Sequence, residues 1–440
     1  MSNPLLKSIN TASLRISKVK TNAVSGRVME AIGPVVKAYL PECHVGDLCE
    51  FKNGTHVICQ GEVVGFDKDL AILAILGDAV GLSPKTEVSP VGTSQTIEVS
   101  PALFGRVIDG MGQVIDGKGP ITVAGTPYKI YNNPPSPMER QLIERPMPTK
   151  IRAIDGLLTI AEGQRVGVFA AAGVGKSTLL SQLVKGAECD VRVIALIGER
   201  GREVKEFLEH SLGPEALAKT IVVCATSDKS ALERARAAYM ATAIAEYFRD
   251  QGGRVLLLMD SVTRFARALR EIGLSAGEPP ARQGFPPSVF AILPRLLERS
   301  GMGAKGSITA VYTVLVEGDD MTEPIADETR SILDGHIILS RDLAQANHYP
   351  AINVLHSASR VMPLVVDDQH RDSSARLREL MSAYKKAEIL IKVGEYKKGS
   401  DSLVDEAMDK YPKILQFLRQ PTEEFTSYEQ TKKELDALIA

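Results

Sequence analysis

Ala170-Ala171-Ala172-Gly173-Val174-Gly175-Lys176-Ser177 is the stretch that decides the fold of this chain. It follows a short apolar run, Arg165–Phe169, and precedes a helix-forming run, Thr178–Lys185. A glycine-containing turn that ends in Gly-Lys-Ser between a strand and a helix is the context of a phosphate-binding loop, the P-loop. The backbone N–H groups of such a turn and of the helix N-terminus form a positive concavity that holds polyphosphate. The alternative is an ordinary Gly/Ala loop at a strand–helix junction.

The side chains of this loop predict separate roles in binding. Gly173 and Gly175 let the backbone approach phosphates without a Cβ in the way. Lys176 can reach the β- and γ-phosphates, and the Ser177 hydroxyl can ligate Mg²⁺. Ala170 stands where the usual pattern has glycine, so we expect a negative φ at the entry to the turn. The predicted nucleotide-binding residues of the loop are Ala172, Gly173, Val174, Gly175, Lys176, Ser177 and Thr178.

Length and composition are those of a soluble globular protein of about two or three domains. The chain has 440 residues, of which 44% are hydrophobic and 24% charged. Its net charge of −2 gives no basic excess for nucleic acid. No run approaches the roughly 18 apolar residues of a membrane helix, and the N-terminus lacks the apolar core of a secretory signal. Five cysteines without a CxxC pair predict reduced thiols in a cytoplasm.

The first part of the chain has two kinds of pattern. Residues 1–23 are polar and weakly patterned, which predicts a mobile segment. Residues 24–95 contain short β-rich runs broken by Gly, Pro and Asn, such as His56–Cys59 and Glu62–Phe66. Short strands at this spacing predict a small β-barrel. The repeated apolar-Asp-Gly unit within Arg106–Gly117 predicts a turn-rich hairpin.

From about Thr149, apolar runs and helix-forming runs alternate. The predicted strands are Arg165–Phe169, Val191–Ile197, Thr220–Cys224, Arg254–Met259, Ser307–Val316 and Gly335–Leu339. Alternation of this kind indicates a parallel sheet covered by helices. The fold class is therefore α/β. We predict a nucleotide-binding domain with a central parallel sheet over residues 96–365, preceded by the barrel and followed by a helical C-terminal domain over residues 366–440.

Asp260 follows the apolar run Val255–Met259. A carboxylate at this position of a P-loop fold can hold Mg²⁺, usually through water. The alternative role is an N-cap for the segment that follows. The P-loop in the same chain favours the magnesium role.

Two glutamates lie just after the predicted strand Val191–Ile197, in the segment Gly198–Glu203. If this strand neighbours the P-loop strand, its C-terminal end faces the same crevice. Glu199 would then orient and polarise the attacking water, and Glu203, one helical turn later, could hydrogen-bond a magnesium water. The alternative is a charged surface turn with local ion pairs.

Two residues far along the chain have side chains suited to nucleotide chemistry. Tyr349 could stack on an adenine, and Arg360 could stabilise charge on a transferring phosphoryl group, often from a neighbouring subunit. Spacing alone favours the structural alternative, with Tyr349 as a packing residue and Arg360 as a salt-bridge residue at a helix start.

The stretch from Thr149 to Met362 resembles the catalytic domain of the rotary ATP synthase and type III secretion ATPase superfamily. Pro-Ala-Ile-Asn-Val-Leu-His-Ser-Ala-Ser, Pro350–Ser359, matches the signature segment of that superfamily. Within it, the chain most resembles the type III secretion ATPases. The segments that carry this resemblance are Gly198–Val204, Asp260–Arg267, Gly277–Pro280, Gly284–Phe290 and Tyr312–Met321. The similarity extends over nearly the whole chain from Val24.

This resemblance implies a RecA-like nucleotide-binding domain and specific roles for its residues. Lys176 and Ser177 would bind phosphate and Mg²⁺, and Glu199 would be the general base. Arg264 would order the γ-phosphate side of the site. Arg360 would be an arginine finger inserted into the site of the neighbouring subunit.

The function implied is a Mg²⁺-dependent ATPase that energises protein export through a type III secretion apparatus. Its active sites would lie at the interfaces of a ring of identical subunits, six by family analogy. The implied partners are a coiled-coil stalk protein facing the loops Gly273–Gly284 and Gly318–Asp320, a peripheral regulator, and chaperone–cargo complexes received by the helical C-terminal domain. These loops could equally be plain solvent-exposed connections. The implied location is cytoplasmic, with peripheral association with the inner-membrane secretion apparatus at most.

Three other functions are weighed against this one. The first is the catalytic subunit of a rotary proton-translocating ATPase, which the segments Gly284–Phe290 and Tyr312–Met321 fit less well. The second is an RNA translocase of the Rho type, which needs exposed aromatics and basic residues, whereas this chain is 5% aromatic and has no basic stripe. The third is a non-catalytic nucleotide-sensing scaffold, which loss of Lys176 or Glu199 would have supported.

Overall fold

The structure is a computed structural model that describes residues 25–93 and 96–440. The predicted mobile segment, residues 1–23, lies outside the described residues. The chain divides into two compact units, one up to residue 94 and one from residue 95.

The first unit is a closed antiparallel β-barrel. Its described strands are Gly26–Ile32 (β1), Val35–Tyr39 (β2), Asp47–Asn53 (β3), His56–Asp67 (β4), Leu70–Leu76 (β5) and Glu87–Thr93 (β6). They follow one another around the barrel in the order β1, β2, β5, β4, β3 and β6, and pairing of Gly26 with Val88 closes it. Val36, Phe51 and Leu73 fill the interior and are fully buried. The predicted small β-barrel is confirmed.

The second unit contains the remaining described strands. They are Thr96–Val99 (β7), Val107–Ile108 (β8), Thr126–Lys129 (β9), Arg165–Ala170 (β10), Val191–Ile197 (β11), Thr220–Ala225 (β12), Arg254–Asp260 (β13), Gly301–Met302 (β14), Ser307–Leu315 (β15), Gly335–Ile338 (β16) and Ala358–Ser359 (β17). The main sheet has the order β17, β16, β10, β15, β13, β11, β12 and β8, with β14 paired to β15. Strands β7 and β9 form a separate ribbon.

Helices cover this sheet and continue to the C-terminus. Those in the described residues are Arg152–Leu157 (α1), Lys176–Gly186 (α2), Gly201–Glu206 (α3), Gly213–Ala218 (α4), Ala231–Asp250 (α5), Val262–Ser275 (α6), Pro287–Leu297 (α7), Pro324–Ile332 (α8), Arg341–Gln345 (α9), Met362–Val365 (α10), Asp368–Lys392 (α11), Ser402–Leu418 (α12) and Tyr428–Ile439 (α13). A π-helical segment, Phe207–Leu212, joins α3 to α4. Short 3₁₀ turns lie at Pro101–Leu103, Pro137–Glu139, Arg282–Gly284 and Glu317–Asp319.

The six strands predicted in the nucleotide-binding region all form, each ending within one residue of the predicted position. Their runs are continuously apolar because helices cover both faces of a parallel sheet. Residues 255–259 in β13, for example, are almost completely buried. The α/β fold class with a central parallel sheet is therefore confirmed.

The hairpin predicted within Arg106–Gly117 is present as an antiparallel bridge between Ile108 and Val114. Its first arm, β8, also pairs in parallel with β12 and extends the main sheet by one strand. A run of two residues is too short for the sequence pattern to predict this strand.

The C-terminal helices share one continuous apolar core with the nucleotide-binding region. Leu377 and Leu380 on α11 are fully buried in this core, whereas Glu388 on the same helix pairs with Lys392 at 2.7 Å. Across the described residues, no helix combines the length and apolarity needed to cross a membrane. All five cysteines are free.

Candidate functional site

The P-loop connects β10 to α2 at the carboxyl end of the main sheet. Gly173 and Gly175 have φ of 80° and 87°, in the left-handed region that only glycine adopts without strain. Ala170 is the buried last residue of β10 and is not among the residues with positive φ, as expected. Helix α2 begins at Lys176, so its first N–H groups face the turn. The loop has the backbone geometry that a polyphosphate site requires.

Charged side chains converge on this loop from neighbouring strands. The Lys176 ammonium hydrogen-bonds Asp260 Oδ1 at the end of β13, and lies 3.7 Å from Glu199 Oε1, just beyond β11. Thr313 on β15 donates its hydroxyl to the same Asp260 oxygen at 2.7 Å. Strand β15 lies between β10 and β13, and β11 flanks β13, so the four carboxyl ends lie side by side. The structure therefore brings together Lys176, Asp260 and Glu199, as predicted.

Glu199 is the unusual member of this cluster. Burial raises the pKa of its carboxyl above the ordinary value, and the Asp260 charge and a hydrogen bond with Glu203 act in the same direction. Lys176 and Arg264 oppose this rise in pKa. Within the described part of the chain, Glu199 Oε1 is buried without a hydrogen-bond partner. A buried carboxylate with a raised pKa and one oxygen free of hydrogen bonds is suited to accept a proton from water.

Arg264 lies in the first turn of α6, where its backbone N–H donates to the hydroxyl of Ser261 at 3.2 Å. Its side chain packs over Gly198, where an added Cβ would lie 3.1 Å from Arg264 Cβ. Among the described residues its Nε is also buried without a hydrogen-bond partner. Glu199 Oε1 and Arg264 Nε are therefore both free to pair with a charged, hydrated ligand.

Glu203 lies on α3, one turn beyond Glu199, and its carboxylate is half-exposed. It accepts a hydrogen bond from Arg200 at 3.2 Å, which is the local ion pair expected as the alternative role for this segment. The same carboxylate also contributes to the raised pKa of Glu199. Its predicted contact with a magnesium water stays a prediction.

Tyr349 stands at the rim of the P-loop. A Cβ added at Gly175 would lie 3.0 Å from Tyr349 Cε1, so the ring packs directly over the glycine that starts α2. Tyr349 as a whole is 38% exposed. The sequence could not place these residues side by side, because more than 170 positions separate them.

Arg360 lies at the other end of the sheet. Its backbone N–H donates to Asp334 O at 3.0 Å, and the Asp334 side chain pairs with Arg165, the first residue of β10, at 2.9 Å. The P-loop follows the last residue of β10, roughly 17 Å farther along the strand at about 3.3 Å per residue. Arg360 is exposed at this edge. Within one chain, the structure does not bring Arg360 to the other predicted site residues.

The residues near the loop suit magnesium by their chemistry. The Ser177 hydroxyl and the carboxylates of Asp260 and Glu203 are hard oxygen ligands, and the unpartnered Glu199 oxygen adds negative charge nearby. Among the described residues, no group of three or more His, Cys, Asp and Glu side chains forms a cage for a metal ion. At nucleotide sites, Mg²⁺ usually keeps several waters and binds phosphates besides one or two protein oxygens, so it needs no cage of protein ligands.

Family models match three successive parts of the chain. The beta-barrel domain of the ATP synthase alpha/beta family matches residues 28–92, and the nucleotide-binding domain of that family matches residues 150–359. The T3SS EscN ATPase C-terminal domain matches residues 366–437. A type 3 secretion system ATPase of Xanthomonas euvesicatoria is 54% identical over 97% of this chain and 96% of its own length.

This chain belongs to the type III secretion system ATPase family. A flagellum-specific ATP synthase of Bacillus subtilis is 50% identical over 94% of each chain. The solved structure of the assembled ATPase EscN from the enteropathogenic E. coli type III secretion system matches with a TM-score of 0.90 and 47% identity, over 94% of this chain and all of that one. The protein is thus an ATPase of the secretion type, and the alternative of a rotary proton-translocating subunit is set aside.

Proposed function

We propose that this ATPase works as a closed ring of identical copies, in which two neighbouring chains build each active site. One observation carries the proposal: the P-loop, Glu199 and Arg264 lie at the carboxyl end of the sheet, whereas Arg360 is exposed near its amino end. A head-to-tail contact that closes on itself forms a ring and would set one edge of each chain against the site of the next. By family analogy the ring has six copies.

In this proposal, the nucleotide is bound by the P-loop and by side chains near it. The backbone N–H groups of Ala172–Thr178 surround the phosphates, and Lys176 reaches the β- and γ-phosphates. Tyr349 offers its ring to the adenine. Ser177, and Asp260 and Glu203 through water, would hold Mg²⁺. When bound with ATP, magnesium neutralises charge on the β- and γ-phosphates.

Hydrolysis in this proposal depends on Glu199. Its carboxylate accepts a proton from a water molecule as the water oxygen attacks the γ-phosphorus, and the bond from that phosphorus to the bridging oxygen of ADP breaks. The raised pKa of Glu199 makes the carboxylate a stronger base than an exposed glutamate. Arg264 orients the γ-phosphate, and Arg360 of the adjacent copy stabilises the charge that develops on it.

Protein export is the process that this hydrolysis would energise, through release and unfolding of chaperone-bound cargo. The relative EscN is described as an assembled ATPase and in complex with its central stalk EscO. By that likeness we propose a coiled-coil stalk protein as a partner here, contacting the loops Gly273–Gly284 and Gly318–Asp320. We further propose a peripheral regulator, docking of chaperone–cargo complexes on the C-terminal helices, and peripheral association with the inner-membrane export apparatus.

The experiment that tests this proposal measures ATP hydrolysis by the purified full chain at several protein concentrations. We expect activity with Mg²⁺ and none with excess EDTA. Specific activity should rise with protein concentration as rings form, in step with the assembled fraction measured by mass photometry. Full specific activity in the monomeric fraction would exclude shared sites.

A further inference from the structure

A short segment of the C-terminal region reaches the nucleotide-binding elements. We call residues 419–426, between α12 and α13, the clasp. The backbone N–H of Gln420 in the clasp donates to the carbonyl of Tyr349 at 2.9 Å. Tyr349 is the residue whose ring packs over Gly175 at the start of α2. The clasp therefore holds the backbone of the residue whose side chain is proposed to contact the adenine.

The side chain of Gln420 fixes where that N–H lies. It is 2% exposed, and its Oε1 accepts the backbone N–H of Arg152 at 2.8 Å. Its Nε2 donates to the carbonyls of Lys150 and Glu424, both at 2.8 Å. Both amide hydrogens are used and the oxygen has a partner, so this buried amide has one satisfied orientation. Gln420 thus ties α1 to the clasp and closes the turn of the clasp on itself.

Two further contacts bring the clasp to elements of the site. Gln182, buried on the P-loop helix α2, donates to the carbonyl of Pro421 at 3.2 Å. Arg419 donates from Nε to Nδ1 of His348, the residue before Tyr349, at 3.3 Å. The clasp therefore contacts both the P-loop helix and the segment that presents Tyr349.

We propose that Gln420 is a positioning residue for Tyr349 and so controls recognition of the nucleotide base. Holding the Tyr349 carbonyl fixes the backbone from which the ring projects over Gly175. This inference rests on the adenine contact proposed for Tyr349. It also joins the C-terminal helices, expected from the sequence to serve cargo, to the affinity of the site for nucleotide.

The test measures KM and kcat for MgATP, together with the inhibition constant of inorganic tripolyphosphate, a competitor without a base. Gln420→Glu keeps the acceptor for Arg152 but cannot donate to Lys150 and Glu424, and Gln420→Ala removes all three bonds. We expect Gln420→Glu to raise KM about 3- to 10-fold with kcat within about 2-fold, as loss of a contact made equally in ground and transition states does. The inhibition constant of tripolyphosphate should not change.

Two reference variants distinguish a positioning role of Gln420 from a general effect on the C-terminal helices. Gln369→Ala removes a bond to Asp436 between α11 and α13, away from Tyr349, and should change neither constant. Because Gln420 acts through Tyr349, the double variant Tyr349→Ala with Gln420→Glu should have the KM of Tyr349→Ala alone.

Each unexpected result of these measurements would overturn a different part of the proposal. If Tyr349→Ala leaves KM for ATP unchanged, the proposed adenine contact is wrong. If Tyr349→Ala raises KM but Gln420→Glu does not, only the positioning role is overturned. A parallel rise in KM and in the tripolyphosphate constant would show that the clasp supports the whole P-loop, and would also overturn it. Where Gln420→Ala does not fold, Gln420→Glu and the double variant decide the question.

Discussion

The two ends of the main sheet differ in the charged groups that they present. At the carboxyl end, Lys176, Asp260 and Glu199 converge on the P-loop, and Glu199 Oε1 is buried without a hydrogen-bond partner among the described residues. At the amino end, Asp334 pairs with Arg165 and holds the backbone of the exposed Arg360. The first end groups charged side chains around the P-loop, and the second leaves a cation exposed, which we propose serves the site of a neighbouring copy.

Removal of the exposed cation at the amino end is expected to have the largest effect. Arg360→Ala should bind ATP with nearly normal affinity and lose about 10³-fold in hydrolysis, because an arginine finger acts on charge that develops in the transition state. Nucleotide binding by calorimetry and steady-state hydrolysis measure the two quantities. A loss of binding equal to the loss of hydrolysis would mean that Arg360 serves folding or assembly instead.

The same comparison predicts a large effect at the buried end. Glu199→Gln should keep ATP binding and lose about 10²- to 10³-fold in hydrolysis, because an amide cannot accept the proton of the attacking water. Glu203→Gln, one helical turn away, should lose far less, because Glu203 is proposed to act only through a magnesium water. Wild-type turnover by Glu199→Gln would remove Glu199 from the role of general base.

A smaller effect is expected at the rim of the P-loop. Tyr349→Ala should raise KM for ATP about 10-fold, since stacking on a base contributes roughly 1–3 kcal/mol. The value of kcat should change little, because stacking acts equally on the ground and transition states. Initial rates over a range of ATP concentrations separate the two constants, and an unchanged KM would leave Tyr349 as a packing residue.

The pH dependence of hydrolysis should show the smallest effect. Glu199 acts only when ionised and its pKa is raised, so kcat should fall with decreasing pH at a higher pH than for an exposed glutamate. Glu203→Gln removes one cause of the raised pKa and should move this acidic limb of the profile to lower pH. Rate measurements across the acidic range, on protein that stays assembled, test this shift. An acidic limb retained in Glu199→Gln would assign it to another group.

Much of the fold follows from the sequence because its signals are local. The strand Val191–Ile197 forms exactly where a continuous apolar run predicted it, and the glycines of the P-loop have the positive φ that the motif requires. The order of the strands is not local, since it depends on pairing between segments far apart. The approach of Thr313 to Asp260 follows from that order and has no sequence signal.

The sequence predicted which residues form the site better than it predicted how they are arranged in space. Motifs identified Lys176, Glu199 and Asp260, whereas the separation of Arg360 from them follows from the register of β17 on β16. Sequence reasoning did not identify Gln420. In the sequence, a glutamine after a helix cannot be distinguished from a glutamine in a surface turn, because its partners at Lys150 and Tyr349 lie far away along the chain. Long-range hydrogen bonds of this kind leave no periodicity to detect.

The measurement that tests shared sites most directly mixes two inactive variants. Lys176→Ala lacks a working P-loop but keeps Arg360, and Arg360→Ala lacks the finger but keeps the P-loop. In a randomly mixed ring, about a quarter of the interfaces would join an intact P-loop to an intact finger. We expect co-assembly to restore hydrolysis toward that fraction, whereas mixed rings that form and stay inactive would contradict shared sites.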